Sequence, residues 1–269
     1  MAIHTRYTNP RPSLTAPSCV RHYSCDITST PDIHAAATAI NQDFGTAPTI
    51  LINNAGVAHG KPILDTDPTT DLQRTFAVNT LSHYPLAQTF VPAMISRNHG
   101  MVVTVASIAA YVTAPRMVDY SASKASAVTF HEGLAAELPA LHGADCVRTV
   151  LVTQGFTRTA LFDGFDPGDG FVSYALAPET VAEAVVRAVL AGESAHVVLP
   201  AVHSYFALLV RAWPLWLQAA MRKDLVKLMK RYRGRQVVVP GGSVAGDATA
   251  AAAATVATAT ANAEHEKQA

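Results

Sequence analysis

The chain has 269 residues, 49% of them hydrophobic and 15% charged, with Lys plus Arg and Asp plus Glu both totalling 20. This excludes a wholly disordered chain, which has few apolar residues and a high net charge. It also supplies no overall positive charge for holding nucleic acid. Cys19, Cys25 and Cys146 stand at wide, unmatched spacings and read as reduced thiols, with neither a disulfide framework nor a metal-ligand set.

Residues 1–18 carry His4, Arg6, Arg11 and Pro10, Pro12 and Pro17, and read as an irregular segment. They contain no apolar run of the secretory type, which points to an intracellular protein. No stretch is apolar for long enough to span a bilayer; the nearest, Val197 to Met221, is interrupted by His203, Arg211 and Pro214. The body of the chain alternates short apolar runs with helical spacing. Val20–Ser24 predicts a strand, and Asp32–Phe44 a helix with Gly45 as its stop. Thr49–Ile52 predicts a fully apolar strand of the kind buried in a parallel sheet. One long helical region follows over Thr69–Arg97, with kinks expected near Pro85 and Pro92. Then come a strand at Met101–Val105, a helix over Asp119–Leu141 and a strand at Cys146–Val152. A helix over Pro178–Ala191 and a short strand at Val197–Leu199 complete the series. Alternation of this kind predicts an α/β fold with a doubly wound, Rossmann-like parallel sheet over residues 19–202. Residues 203–240 form an apolar and basic segment, and 241–269 an Ala/Thr-rich tail expected to be disordered. In such sheets ligands bind beyond the carboxyl ends of the strands.

The residues after those strands can carry chemistry. Tyr120 and Lys124 are one helical turn apart and share a face. A phenol titrates near pKa ~10, and a fixed ammonium beside it favours the phenolate; a drop of about two to three units brings it within reach of neutral pH. Ser107 ends the Met101–Val105 strand, where a hydroxyl can donate to a substrate oxygen, although strand-end serines commonly cap a turn. Asn53-Asn54-Ala55-Gly56 directly follows the Thr49–Ile52 strand, and Asn79 puts an amide into an apolar helical stretch. Such an amide either pins backbone or serves a site.

In this order and spacing the residues resemble the short-chain dehydrogenase/reductase family from about Val20 to Gln236. The run Pro178-Glu179-Thr180-Val181-Ala182, the run Val198-Leu199-Pro200 and the apolar stretch with Pro214 resemble its membrane-associated retinol and hydroxysteroid dehydrogenase branch. The resemblance implies that Tyr120 exchanges a proton, that Lys124 lowers its pKa and binds the nicotinamide ribose, and that Ser107 orients the substrate oxygen. It implies that Asn79 holds a backbone kink and a relay water, and that Asn53, Ala55 and Gly56 line the adenosine side of the cofactor. Asp26 falls near the expected adenine position, and Thr157 and Thr159 near the cofactor amide or phosphate, after Gln154-Gly155 where the family usually has Pro-Gly. The implied cofactor is NADP or NAD, with NADP the first choice, and no metal is expected. The implied activity is oxidoreduction of a carbonyl or secondary alcohol on a hydrophobic, lipid-, retinoid- or steroid-like substrate.

The family's glycine-rich phosphate loop finds no counterpart, since no glycine precedes Gly45. The expectation is therefore an N-terminally truncated sheet lacking its first βαβ unit. Val20–Ser24 would lose its neighbours, Thr49–Ile52 would become an edge, and the dinucleotide would bind feebly. The alternative reading is a non-catalytic relative that binds a membrane surface or a partner. Residues 204–235 join Trp-rich apolar sequence to a basic cluster, which suits peripheral membrane contact at the endoplasmic reticulum or a lipid droplet, a lid, or a homodimer contact. An otherwise cytoplasmic location is expected, and no nucleic-acid partner.

Overall fold

The computed structural model describes residues 2–4, 20–162, 175–206, 209–229, 232 and 234. Its strands are β1 (Ala2–His4), β2 (His22–Ser24), β3 (Ile50–Asn53), β4 (Gly100–Val105), β5 (Val147–Gln154) and β6 (Ala195–Leu199). The helices are α1 (Thr30–Phe44), α2 (Gln73–Phe76), α3 (His83–Arg97), α4 (Val118–His142), α5 (Pro178–Ala191), α6 (His203–Phe206) and α7 (Leu215–Leu228). The strands β3-β4-β5-β6 form a parallel sheet in that order, and β1 pairs in parallel with β2 in a separate two-stranded sheet. This is the Rossmann-like α/β architecture that the alternation of elements predicts. The expected isolation of the His22–Ser24 strand is corrected: Ala2, inside the segment read as irregular, is registered with His22. The Ala/Thr-rich tail lies outside the described residues.

Local chemistry sets the element ends. Ser29 caps α1 by accepting from the Asp32 amide, Pro31 occupies the first turn, and Gly45 ends the helix at φ 67°. The region expected as one long helical stretch runs on from Pro68 to Arg97, but it is not uniformly α. π turns at Pro68–Leu72 and Ala77–Leu81 flank α2, and Leu72, Phe76 and Ser82 at the junctions keep right-handed helical dihedrals, so the backbone continues into α3. Pro92 lies inside α3.

One sheet face packs on α1, α3 and α4 through Leu51, Val102, Ile33, Ile40, Phe90 and Met94. The opposite face of β4 and β5 packs Met101, Val103, Val150 and Val152 against Val185 and Val189 of α5. β3 is the edge strand, as expected, and α5 does not reach it. Ile50 and Ile52, registered with Met101 and Val103, are 41% and 48% exposed, while Leu51 is buried. The carboxyl ends of β3, β4 and β5 open toward the first turns of α4, and this arrangement sets the site.

Candidate active site

Lys124 is buried in α4, and its Nζ donates to the Val105 carbonyl at the end of β4, 2.8 Å away. That bond fixes the ammonium at the strand's carboxyl end. Its Nζ lies 5.9 Å from the centroid of the Tyr120 ring. Ser107 caps the turn after β4, accepting from the Ala109 amide at 3.2 Å and donating to the Gln154 carbonyl at 3.4 Å. Its side chain also neighbours the Tyr120 phenol. The structure therefore brings Ser107, Tyr120 and Lys124 together from β4 and α4.

Their electrostatics are set by burial. It pushes the Tyr120 phenol up to about 12, and the neighbouring Ser107 side chain only partly opposes this. Burial likewise lowers Lys124 to about 8. In this closed, water-poor arrangement desolvation penalises both charged forms.

Asn79 sits in the second π turn, fully buried. Its Oδ1 accepts from the Val57 amide (2.8 Å), and its Nδ2 donates to the Val57 carbonyl (3.0 Å) and to Ser123 Oγ (2.9 Å). Ser123 Oγ in turn donates to the Tyr120 carbonyl at 2.7 Å, and Thr80 Oγ1 donates to the Ser123 carbonyl at 2.6 Å. The π turn therefore clamps the chain after β3 to the turn of α4 that carries Tyr120 and Lys124.

The other expected binding residues spread along the strand ends. Asn53 is buried, and neither its Oδ1 nor its Nδ2 finds a hydrogen-bond partner among the described residues. Ala55 and Gly56 are partly buried beside it. A Cβ placed on Gly56 would lie 3.6 Å from both Lys124 Nζ and Asn79 Oδ1, filling space next to the ammonium. Asp26, past β2, accepts from Thr28 through both its amide and its hydroxyl. Thr157 is buried and donates to the Gly155 carbonyl; Thr159 is exposed, with its carbonyl capping the turn at Phe162.

The orphaned Asn53 amide at the end of β3 offers a donor and an acceptor that fit a polar ligand such as a dinucleotide. The phosphate end is a different matter. At the start of α1 the Asp32 amide is taken by Ser29 Oγ, Pro31 has no N–H, and the Asp32 carboxylate stands in the first turn, so this helix start is ill suited to a pyrophosphate.

Two groups of residues escaped the sequence reading. The first is a polar cluster at the start of α4. Thr75 Oγ1 donates to Asp119 Oδ2 (3.1 Å) and bonds His59 Nδ1 (3.0 Å), while Asp71 takes Lys61 at 2.5 Å. Burial pushes Asp119 up, but hydrogen bonds from His59, the Tyr120 amide and Thr75 outweigh it and hold the carboxyl below its ordinary range. The second is an apolar wall over the phenol. Phe162 stands edge-on to Tyr120 at 6.3 Å and to Phe156 at 5.5 Å, with Met117, Met229 and Tyr232 in the same cluster. Phe156 and Phe162, bracketing Thr157 and Thr159, were the available signal; Tyr232 had none, since its contacts span the chain.

A parallel sheet with a hydroxyl, a phenol and an ammonium gathered at its strand ends is the arrangement that the sequence resemblance implies. The short chain dehydrogenase family model matches residues 13–169, and the chain belongs to that family. It is 43% identical over 155 residues to "Dehydrogenase RED2" of Cochliobolus heterostrophus, covering 56% of this chain and 58% of that one. It is 32% identical to "Short-chain dehydrogenase/reductase family 16C member 6" of Bos taurus, covering 80% of this chain and 64% of the relative. To the human "Estradiol 17-beta-dehydrogenase 11" it is 31% identical, over 77% of this chain and 66% of the relative. The chain thus spans about three fifths of the length of the curated relatives it matches best. A short-chain dehydrogenase from Streptomyces avermitilis shares the fold at TM-score 0.58 and 22% identity, covering 78% of each chain. An alcohol dehydrogenase of Thermococcus sibiricus, solved with 5-hydroxy-NADP, shares it at TM-score 0.55 and 19% identity, over 66% of this chain and 73% of that one. No described helix is long and apolar enough to cross a membrane, and no described cluster of His, Cys, Asp or Glu suits a metal ion.

Proposed function

We propose that this protein is an NAD(P)-dependent oxidoreductase acting on a carbonyl or secondary alcohol of a hydrophobic, lipid-, retinoid- or steroid-like substrate. The observation that carries the reading is the meeting of Ser107 and Lys124 at a Tyr120 phenol walled by aromatic and aliphatic side chains. When bound, the nicotinamide cofactor supplies the hydride donor or acceptor. NADP is the preferred form. Tyr120 gives its proton to the substrate oxygen in reduction and takes it back in oxidation. At neutral pH the buried phenol is protonated, which is the form that carbonyl reduction consumes. Ser107 donates to the substrate oxygen and holds it in reach of the phenol. The Lys124 ammonium holds the nicotinamide ribose, and Asn53, Ala55 and Gly56 line the adenosine side. Asp26 serves the adenine side, and Thr157 and Thr159 the amide or phosphate side. Asn79 acts through Val57 and Ser123 as a positioning residue.

Leu209, Leu215 and Trp216 are exposed near the basic Arg222 and Lys223, which supports a peripheral contact with an anionic membrane such as the endoplasmic reticulum or lipid-droplet surface. The second reading, a relative that binds a surface or a partner without turnover, is favoured by the self-capped start of α1.

Oxidation of estradiol with NADP and with NAD, in the parent protein and in Tyr120→Phe, tests the proposal. The parent protein turns over, faster with NADP. Y120F loses at least about a thousandfold in kcat, since proton transfer is removed, and binds NADPH within about threefold of the parent. A Y120F protein that keeps the parent rate overturns the assignment.

A further inference from the structure

Tyr232 is fully buried although it lies 112 residues beyond Tyr120. Its ring is 6.2 Å from that of Phe162, which stands edge-on to Tyr120, and Met229 and Leu225 complete the same cluster. Three anchors hold this stretch down. The Arg116 guanidinium donates to the Tyr232 carbonyl at 3.0 Å, and the Tyr232 hydroxyl donates to the Leu161 carbonyl at 3.2 Å. Gly234, at φ 68°, lies so close to the chain after β3 that a Cβ there would fall 2.5 Å from the Ala58 carbonyl oxygen.

Arg116 is itself informative. It is one of two described non-glycine residues at positive φ, 64°, two positions before α4 begins. An arginine in this region costs about 1 kcal/mol or more, and such strain persists where surrounding structure over-determines it. Here the strained turn aims the guanidinium at the Tyr232 backbone, four residues from the phenol that the ring helps to bury.

We propose that Tyr232 is a specificity-determining residue that limits the size of the substrate admitted beside Tyr120, its ring occupying the apolar space that a bulky ketone would take. The inference rests on the oxidoreductase reading for the word substrate, but the occupied space is a property of the chain itself. The polar anchors of Tyr232 are its hydroxyl and its carbonyl, whereas the occupied volume belongs to its ring, so two substitutions separate them. Tyr232→Phe removes the Leu161 bond and keeps the ring. Tyr232→Ala removes the ring and keeps the carbonyl that Arg116 holds.

Equilibrium dialysis of the full chain with cyclohexanone and with 2-acetylnaphthalene, without cofactor, reads this directly. In Y232A the preference for 2-acetylnaphthalene over cyclohexanone rises at least tenfold over the parent, and in Y232F it stays within twofold. Tyr232→Leu, which keeps apolar bulk but no ring, gives an intermediate rise and carries the comparison where the alanine variant does not fold. An unchanged preference in Y232A or Y232L, an equal rise in Y232F, or no ketone binding by the parent and variants alike overturns the proposal. Because the measurement needs no turnover, an inactive protein that still shows the selective rise counts against the oxidoreductase reading and not against this one.

Discussion

Replacing Asn79 by alanine tests whether the π turn is the clamp that holds the site together. The variant loses three hydrogen bonds: two that pair the Val57 amide and carbonyl, and one to Ser123 Oγ. Ser123 keeps its own bond to the Tyr120 carbonyl, so its loss is small. Val57 is only partly buried, so water partly replaces the partner lost by its N–H and by its carbonyl, and each loss costs roughly 0.5–1.5 kcal/mol. The total is about 1–3 kcal/mol, which for a domain of this size lowers Tm by about 3–9 °C. Urea and thermal unfolding followed by circular dichroism measure it. The companion variant Asn79→Asp keeps an acceptor for the Val57 amide but sets a carboxylate against the Val57 carbonyl, and is destabilised at least as much as alanine. An N79A protein within about 0.5 kcal/mol of the parent would refute the clamp.

Acid sensitivity follows from the core histidines. Burial lowers His83 to about 3 and His131 to about 4. The unfolded chain therefore binds more protons than the folded one between about pH 4 and 6.5, and stability falls as pH drops through that window. Urea midpoints at pH 7, 5.5 and 4.5 check it; His83→Phe flattens the slope, and an unchanged slope contradicts the assignment. Ile52→Lys, on the open face of the β3 edge, changes stability by less than about 0.5 kcal/mol and raises the protein concentration at which light scattering appears. Flotation with anionic vesicles retains the parent protein, and Leu215→Glu with Trp216→Glu releases it; parent protein that does not float excludes the membrane contact.

The sheet was legible because its signals are local. Continuous apolar runs such as Met101–Val105 and a stopping Gly45 act over a few residues, and the structure keeps them within one or two positions. The Tyr120–Lys124 spacing was legible for the same reason, being one turn of a single helix. The π turns within the 69–97 region were not, because the turn that seats Asn79 answers to Val57 and Ser123, 22 and 44 residues away.

By itself the sequence determined the strands from Ile50 to Leu199 and the helices between them, and which side chains stand at the strand ends, since periodicity depends on near neighbours alone. Only the tertiary structure decided the charge state and surroundings of those side chains. Tyr120 carries a raised pKa because Met229 and Tyr232, more than a hundred residues later, exclude water from it. Desolvation is a sum over everything packed around a group, and that sum has no value until the chain has closed on itself.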